Sequence, residues 1–113
     1  MGTDDDRFPA DREGPVRDVD VVGFSIGLAP VTNPGFAALA DATGIVTLAE
    51  SDGWSFVFGG LLPDDFPPTR GVVGAEWWRA VDGADWRHPS GPQSDLDGLA
   101  DHPVVHVNWF EAL

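Results

Sequence analysis

Residues 77–109 read WWRAVDGADWRHPSGPQSDLDGLADHPVVHVNW. The stretch is dense in Trp, His, Asp and Gly-Pro and has little low complexity. It shows neither the 3.6-residue period of an amphipathic helix nor a sustained alternation. It therefore reads as long ordered loops pinned by aromatic anchors, because a Trp ring brings large apolar area to a backbone that has no regular partner. Within and just after it, Pro103–Val107 (PVVHV) is expected as a short strand. Asn108-Trp109-Phe110-Glu111-Ala112-Leu113 is expected as a cap followed by one helical turn.

Working outward, Trp54–Phe58 (WSFVF) is aromatic and β-branched between Gly53 and Gly59, which predicts a short, buried, extended segment. Leu61–Gly71 carries three prolines and adjacent aspartates and reads as a surface loop. The clearest helix signal lies at Pro34–Thr43. Asn33 can cap, Pro34 suits the first helical position, Phe36, Leu39 and Ala40 share a face, and Gly44 is a stop. Ile45–Glu50 is expected to be extended or turned. Val19–Leu28 alternates loosely, with a phase change at Val21–Val22, which predicts a strand with a bulge. Residues 1–18 read as an acidic, proline-punctuated loop. Together these elements define an α+β fold with few regular elements.

Length and composition set bounds. The 113 residues make one domain at most, and 42% hydrophobic content supports a core. Fourteen Gly and ten Pro argue for loops over a helical bundle. The net charge is −13, and all basic residues are arginine. So acidic a surface repels phosphate backbones and anionic membranes, which excludes nucleic-acid and membrane partners as a class and favours cations or basic peptides. The same charge also serves plain solubility. There is no cysteine, hence no disulfide and no thiolate metal site. With no apolar run of membrane-spanning length and no signal-peptide pattern at MGTDDDRF, the expected location is cytoplasmic. The closing turn of helix is too short to hold itself together, so residues 1–113 are expected to be an N-terminal portion truncated at Leu113.

Several motifs resemble one family. They are Gly14-Pro15-Val16-Arg17-Asp18-Val19, Val31-Thr32-Asn33, Thr47-Leu48-Ala49-Glu50, Gly53-Trp54-Ser55-Phe56-Val57-Phe58 and Trp77-Trp78. The more specific pair is Gly83-Ala84-Asp85-Trp86-Arg87-His88-Pro89-Ser90-Gly91-Pro92 and Asp101-His102-Pro103-Val104-Val105-His106-Val107-Asn108-Trp109. This set resembles the formylglycine-generating enzymes, or sulfatase-modifying factors. The resemblance implies a partial C-type-lectin-like fold. It implies a parent oxidase that converts a sulfatase cysteine, in a Cys-x-Pro-x-Arg motif, to formylglycine with copper and oxygen. Copper-binding cysteines and structural calcium sites belong to a C-terminal portion absent from this sequence, so no cofactor and no catalytic residue is expected in this chain. Pro30 stands where family members often carry Glu before Val-Ser/Thr-Asn.

The resemblance places Ala49, Ser55 and Trp77 along the cleft that takes the sulfatase peptide. A Trp face offers contact area and a Ser hydroxyl can bond an extended backbone, whereas composition alone reads Trp77 as core. His88, His102 and His106 lie among Asp95, Asp97 and Asp101, a mixture that can bind metal, but the two His-Pro pairs read as loop corners. Ser94-Asp95-Leu96-Asp97-Gly98 and Asp4-Asp5-Asp6 lack the further ligands a calcium loop requires. No Gly-x-Ser-x-Gly elbow or phosphate-binding glycine loop is present. The expected function is a fragment of a formylglycine-generating oxidase supplying groove and scaffold. The alternative is a non-catalytic remnant or peptide-binding module.

Overall fold

In a computed structural model all 113 residues are described. The regular elements are α1 (Asn33–Thr43), α2 (Leu48–Asp52), β1 (Trp54–Phe58), β2 (Arg70–Val72) and β3 (Ala75–Asp82), with single 3-10 turns at Pro9–Asp11 and Gly59–Leu61. The three strands form one antiparallel sheet in the order β1-β3-β2, and Trp54 pairs with Asp82 at one end and Phe58 with Trp78 at the other.

Helix α1 stands where the sequence puts it. Pro34 falls in its first turn, and Gly44 closes it at φ 69°, with its N–H donating to the Ala40 carbonyl at 2.8 Å. A residue with a Cβ would be strained there. Asn33 does not cap, because the cap position is Thr32, whose side chain makes no cap bond. Asn33 instead donates through Nδ2 to the Leu99 carbonyl (2.8 Å) and through its backbone to the His102 carbonyl (3.1 Å), fastening α1 to the distant loop.

Four other expectations are corrected. Within Ile45–Glu50, expected to be extended or turned, residues 48–50 instead open the helix Leu48–Asp52, because Thr47 and Glu50 form a reciprocal capping box. Residues 75–82 are a strand and not a loop. The sequence hides this because apolar side chains sit on both faces of β3, Trp78 and Ala80 opposite Trp77 and Val81, so no alternation shows. Pro103–Val107 contributes one isolated bridge, Thr32 to Pro103, and no strand. Pro103 has no N–H to donate, and His106 at φ 58° breaks the extended run. Val19–Leu28 forms no strand either. No residue from 18 to 30 enters a backbone–backbone hydrogen bond, and a strand without a partner is not a stable element.

Two small clusters make the core. Phe36, Ala40 and Trp86 form one, with Phe36 and Trp86 edge to face at 5.2 Å. Val57, Val81 and Ala84 form the other, covered by Leu62 and Phe66. Of WSFVF only Val57 is buried; Phe56 and Phe58 are 44% and 46% exposed, so the segment is extended as expected but not buried. The radius of gyration, 17.6 Å, exceeds the roughly 13 Å of a compact domain of this length. Backbone–backbone hydrogen bonds number 40, about half of what a packed domain of this length carries.

Open apolar surface on this scale binds hydrophobic dyes. The purified chain should bind such a dye and melt over a broad range; a sharp, cooperative, monomeric melt well above ordinary mesophile values would show that the two clusters suffice as a core. Trp86, unlike the exposed Trp77, Trp78 and Trp109, is 2% exposed. Trp86→Ala should cost about 3–5 kcal/mol and abolish folding, whereas Trp77→Ala should stay within about 0.5 kcal/mol. Chemical denaturation of the two variants tests the contrast.

Candidate functional site: a groove along the first strand

Strand β1 is at the edge of the sheet, and α2 leads straight into it through Gly53 at φ 74°. This tight junction puts Ala49 on α2 beside Ser55 on β1. Residues 106–108 close the other side. The result is a cavity of about 320 Å³ lined by Ala49, Asp52, Trp54, Ser55, His106 and Asn108 among others. A larger, mainly apolar cavity of about 560 Å³ continues along β1, lined by Phe56, Phe58, Trp78, Leu96 and Val105. Phe56 and His106 line both.

His106 stands between the two. Its Nε2–H donates to the Pro89 carbonyl at 2.8 Å, and its Nδ1 is 2.8 Å from the Ser55 hydroxyl. One imidazole thus joins the start of β1 to the loop after β3.

Behind the first cavity is the polar centre of the molecule, the Glu50 carboxylate. It accepts from the Thr47 N–H and the Thr47 hydroxyl, each at 2.9 Å, from the Trp86 indole N–H at 3.3 Å, and from Arg87. Thr47 is fully buried. Burial opposes the charge on Glu50, but the hydrogen bonds from Thr47, the Arg87 guanidinium and the Trp86 indole together outweigh it and hold the carboxyl below its ordinary value. Arg87 also lies over the Trp86 ring at 4.0 Å. A second carboxylate, Glu111, accepts from the Leu48 N–H (2.6 Å), the first donor of α2, and from the Asn108 backbone N–H and side-chain amide (2.8 Å each). Asn108 Oδ1 in turn accepts from the Phe110 and Glu111 N–H groups. The expected cap at Asn108 therefore exists, and its reciprocal partner Glu111 also accepts from the start of α2.

The three sequence-selected residues separate. Ala49 and Ser55 line one cavity. Trp77 lies outside it, 55% exposed, four positions along β3 from Val81, the partner of Ser55, or roughly 13 Å. Strand alternation puts Trp77 on the same sheet face as Ser55, with the buried Val57 and Val81 between them. The histidines are scattered: His88 Nδ1 pairs with Asp85 at 3.1 Å, and His106 is held as described. No three His, Asp or Glu side chains converge on a common point. The only sulfur is that of Met1, so the donor set fits neither a thiolate copper site nor a calcium cage. Sequence reasoning missed Glu50, Thr47, Glu111 and the placement of His106. Thr47-x-x-Glu50 was readable as a capping box, and so was Asn108-x-x-Glu111, whose ends bond each other reciprocally; the Glu111–Leu48 and His106–Ser55 bonds join residues 63 and 51 positions apart and leave no local signal.

These features define an α+β domain with an open groove along one edge strand. The chain belongs to the sulfatase-modifying factor enzyme 1-like domain family, which it matches over residues 1–113, and it carries part of that family's C-type-lectin-like fold. It is 49% identical over 113 residues to the formylglycine-generating enzyme of Thermomonospora curvata, covering 99% of this chain and 37% of that protein. It is 43% identical over 115 residues to that of Mus musculus, covering 100% of this chain and 31% of that protein. It is also 43% identical over 116 residues to the inactive C-alpha-formylglycine-generating enzyme 2 of Bos taurus, covering 99% and 38%. The chain thus spans about a third of the length of these curated relatives. No helix is long and apolar enough to cross a membrane.

The sign of the Glu50 perturbation gives a test. A carboxyl held below its ordinary value contributes stability that is present above the unfolded value and is lost as pH falls through the folded one. Glu50→Gln should destabilise the chain at neutral pH, because it removes the charge facing Arg87. The gap between wild type and variant should close on acidification below about pH 4. Paired denaturant melts across pH measure the gap; a gap that is constant with pH would contradict the assignment.

Proposed function

We propose that residues 1–113 form the peptide-recognition and scaffold part of an oxidase that converts a sulfatase cysteine, within a Cys-x-Pro-x-Arg segment, to formylglycine. The observation that carries this reading is a groove lined by Ala49 and Ser55 in a chain of this family. An extended five-residue segment spans about 13 Å between its end Cα atoms, which matches the run of the two cavities along β1. Asp52 at the first cavity and the overall charge of −13 suit the arginine of the motif, in place of the acidic residue absent at Pro30. Trp77 offers its exposed indole to a residue flanking the motif. Copper binding, oxygen chemistry and structural calcium fall to groups other than these residues, since soft Cu(I) calls for thiolates and the chain has none.

A second reading has its own support. The chain resembles the bovine protein named inactive as closely as it resembles the murine enzyme, and it carries no thiol. On that reading it is a non-catalytic peptide-binding module.

The two halves of the proposal are tested together. The chain is mixed with a labelled Cys-x-Pro-x-Arg peptide and binding is followed by anisotropy. Copper and oxygen are then supplied, and mass spectrometry looks for the aldehyde. The expected result is saturable binding, weakened several-fold by Trp77→Ala, with no aldehyde above the buffer control. Absence of binding overturns the groove; turnover overturns the separation of recognition from chemistry.

A further inference from the structure

The groove has one strained backbone position. His106 takes φ 58°, in the left-handed region that few non-glycine residues occupy. Such strain persists only where surrounding contacts hold it. Here the contacts are the two 2.8 Å bonds of the imidazole, to Ser55 and to Pro89. We infer that His106 is a positioning residue that fixes the polarity of the Ser55 hydroxyl, so that the groove selects an N–H donor of a bound peptide at this point; this rests on the groove reading above.

The argument is one of donors and acceptors. A carbonyl oxygen only accepts, so the bond to Pro89 requires the hydrogen on Nε2. A neutral imidazole with Nε2–H has a bare lone pair on Nδ1. The Ser55 hydroxyl must therefore donate its single hydrogen to Nδ1. What remains on Ser55 Oγ toward the cavity is acceptor capacity alone. A peptide carbonyl brought to the same point meets lone pair against lone pair, whereas a peptide N–H finds a partner. Ser55 and His106 both line the first cavity, so the bonded pair borders the space a ligand would enter. Neither residue needs to react with anything for this selection to operate.

Two measurements test this. Long-range proton–nitrogen correlation spectra of the ¹⁵N-labelled chain, at about pH 8 where an ordinary imidazole is neutral, report the tautomer directly. The Nε2–H form is expected for His106, with its Nδ1 resonance shifting in Ser55→Ala. An Nδ1–H tautomer overturns the inference. The second measurement titrates Cys-x-Pro-x-Arg peptides carrying an N-methyl group at each non-proline backbone amide in turn. One methylated amide should lose roughly ten-fold in affinity for wild type, the worth of a single neutral hydrogen bond. That loss should vanish in Ser55→Ala and shrink in His106→Asn, which tolerates the left-handed backbone but cannot hold both partners. Equal losses in wild type and Ser55→Ala overturn the inference while leaving the groove intact. Failure of the unmodified peptide to bind wild type overturns the groove reading itself, and the tautomer spectrum still decides the polarity of the hydroxyl.

Discussion

The Glu50 carboxylate is the constraint on which the rest depends. It is bonded at once to Thr47, which starts α2, and to Trp86 and Arg87, which lie in the loop after β3. Without it the Thr47 N–H and the Thr47 hydroxyl hydrogen would lose their acceptor, and an unmet buried polar group costs about 1–3 kcal/mol. Trp86 is the largest side chain in the core, and its indole N–H points at the same oxygen. One side chain thereby fixes the start of α2, the seat of the main aromatic anchor and the course of the loop that returns to Pro89. The groove inherits its shape from these three, since Ala49 follows Thr47 by two residues and Pro89 follows Trp86 by three.

How much of this was legible follows from the range of each interaction. Helix α1 was readable because its signals, Pro34, the pair Phe36 and Ala40 on one face, and Gly44, lie within twelve residues and act locally; Leu39, expected on that face, is exposed instead. The capping box at Thr47-x-x-Glu50 is equally local, but Ile45–Glu50 reads as extended or turned because a five-residue helix shows no period. Strand β3 was hidden by having apolar residues on both faces. At Val19–Leu28 the alternation is present, but alternation specifies a face and does not supply a partner, and the backbone there has none. Ala49 and Ser55 came from family motifs, and the α2–β1 junction brings them together. The Ser55–His106–Pro89 link joins one strand and two loop segments that lie 17 and 51 positions apart in the sequence, so no local pattern announces it.

Sequence and electrostatics bear differently on fold and on recognition. Nineteen acidic residues against six arginines leave few charges to spend inside the protein. Two of the arginines are held by carboxylates next to Trp rings, Arg87 by Glu50 over Trp86 and Arg70 by Asp82 near Trp54 at 5.3 Å. In both places a cation is shared between a carboxylate and an aromatic face. The Arg87 pair is half-sheltered and ties elements together. The Arg70–Asp82 pair is exposed at 3.6 Å and contributes little. What remains is an excess of negative charge over the chain as a whole, with Asp52 in the lining of the first cavity.

The absence of thiols and the presence of an ordered groove belong to different physical problems. Oxidising a cysteine requires a site that binds a soft metal or activates oxygen, and no arrangement of His, Asp and Ser in this chain substitutes for sulfur ligands to Cu(I). Recognising an extended peptide requires an edge strand, a hydroxyl of fixed polarity, apolar recesses and a field of suitable sign. On the reading proposed above these fall to α2, β1 and the loop at His106, none of which carries a sulfur ligand. Relatives of both descriptions, formylglycine-generating and inactive, share about the same fraction of this sequence. That is the pattern expected if this third of the fold conserves the geometry of recognition and chemistry is decided elsewhere.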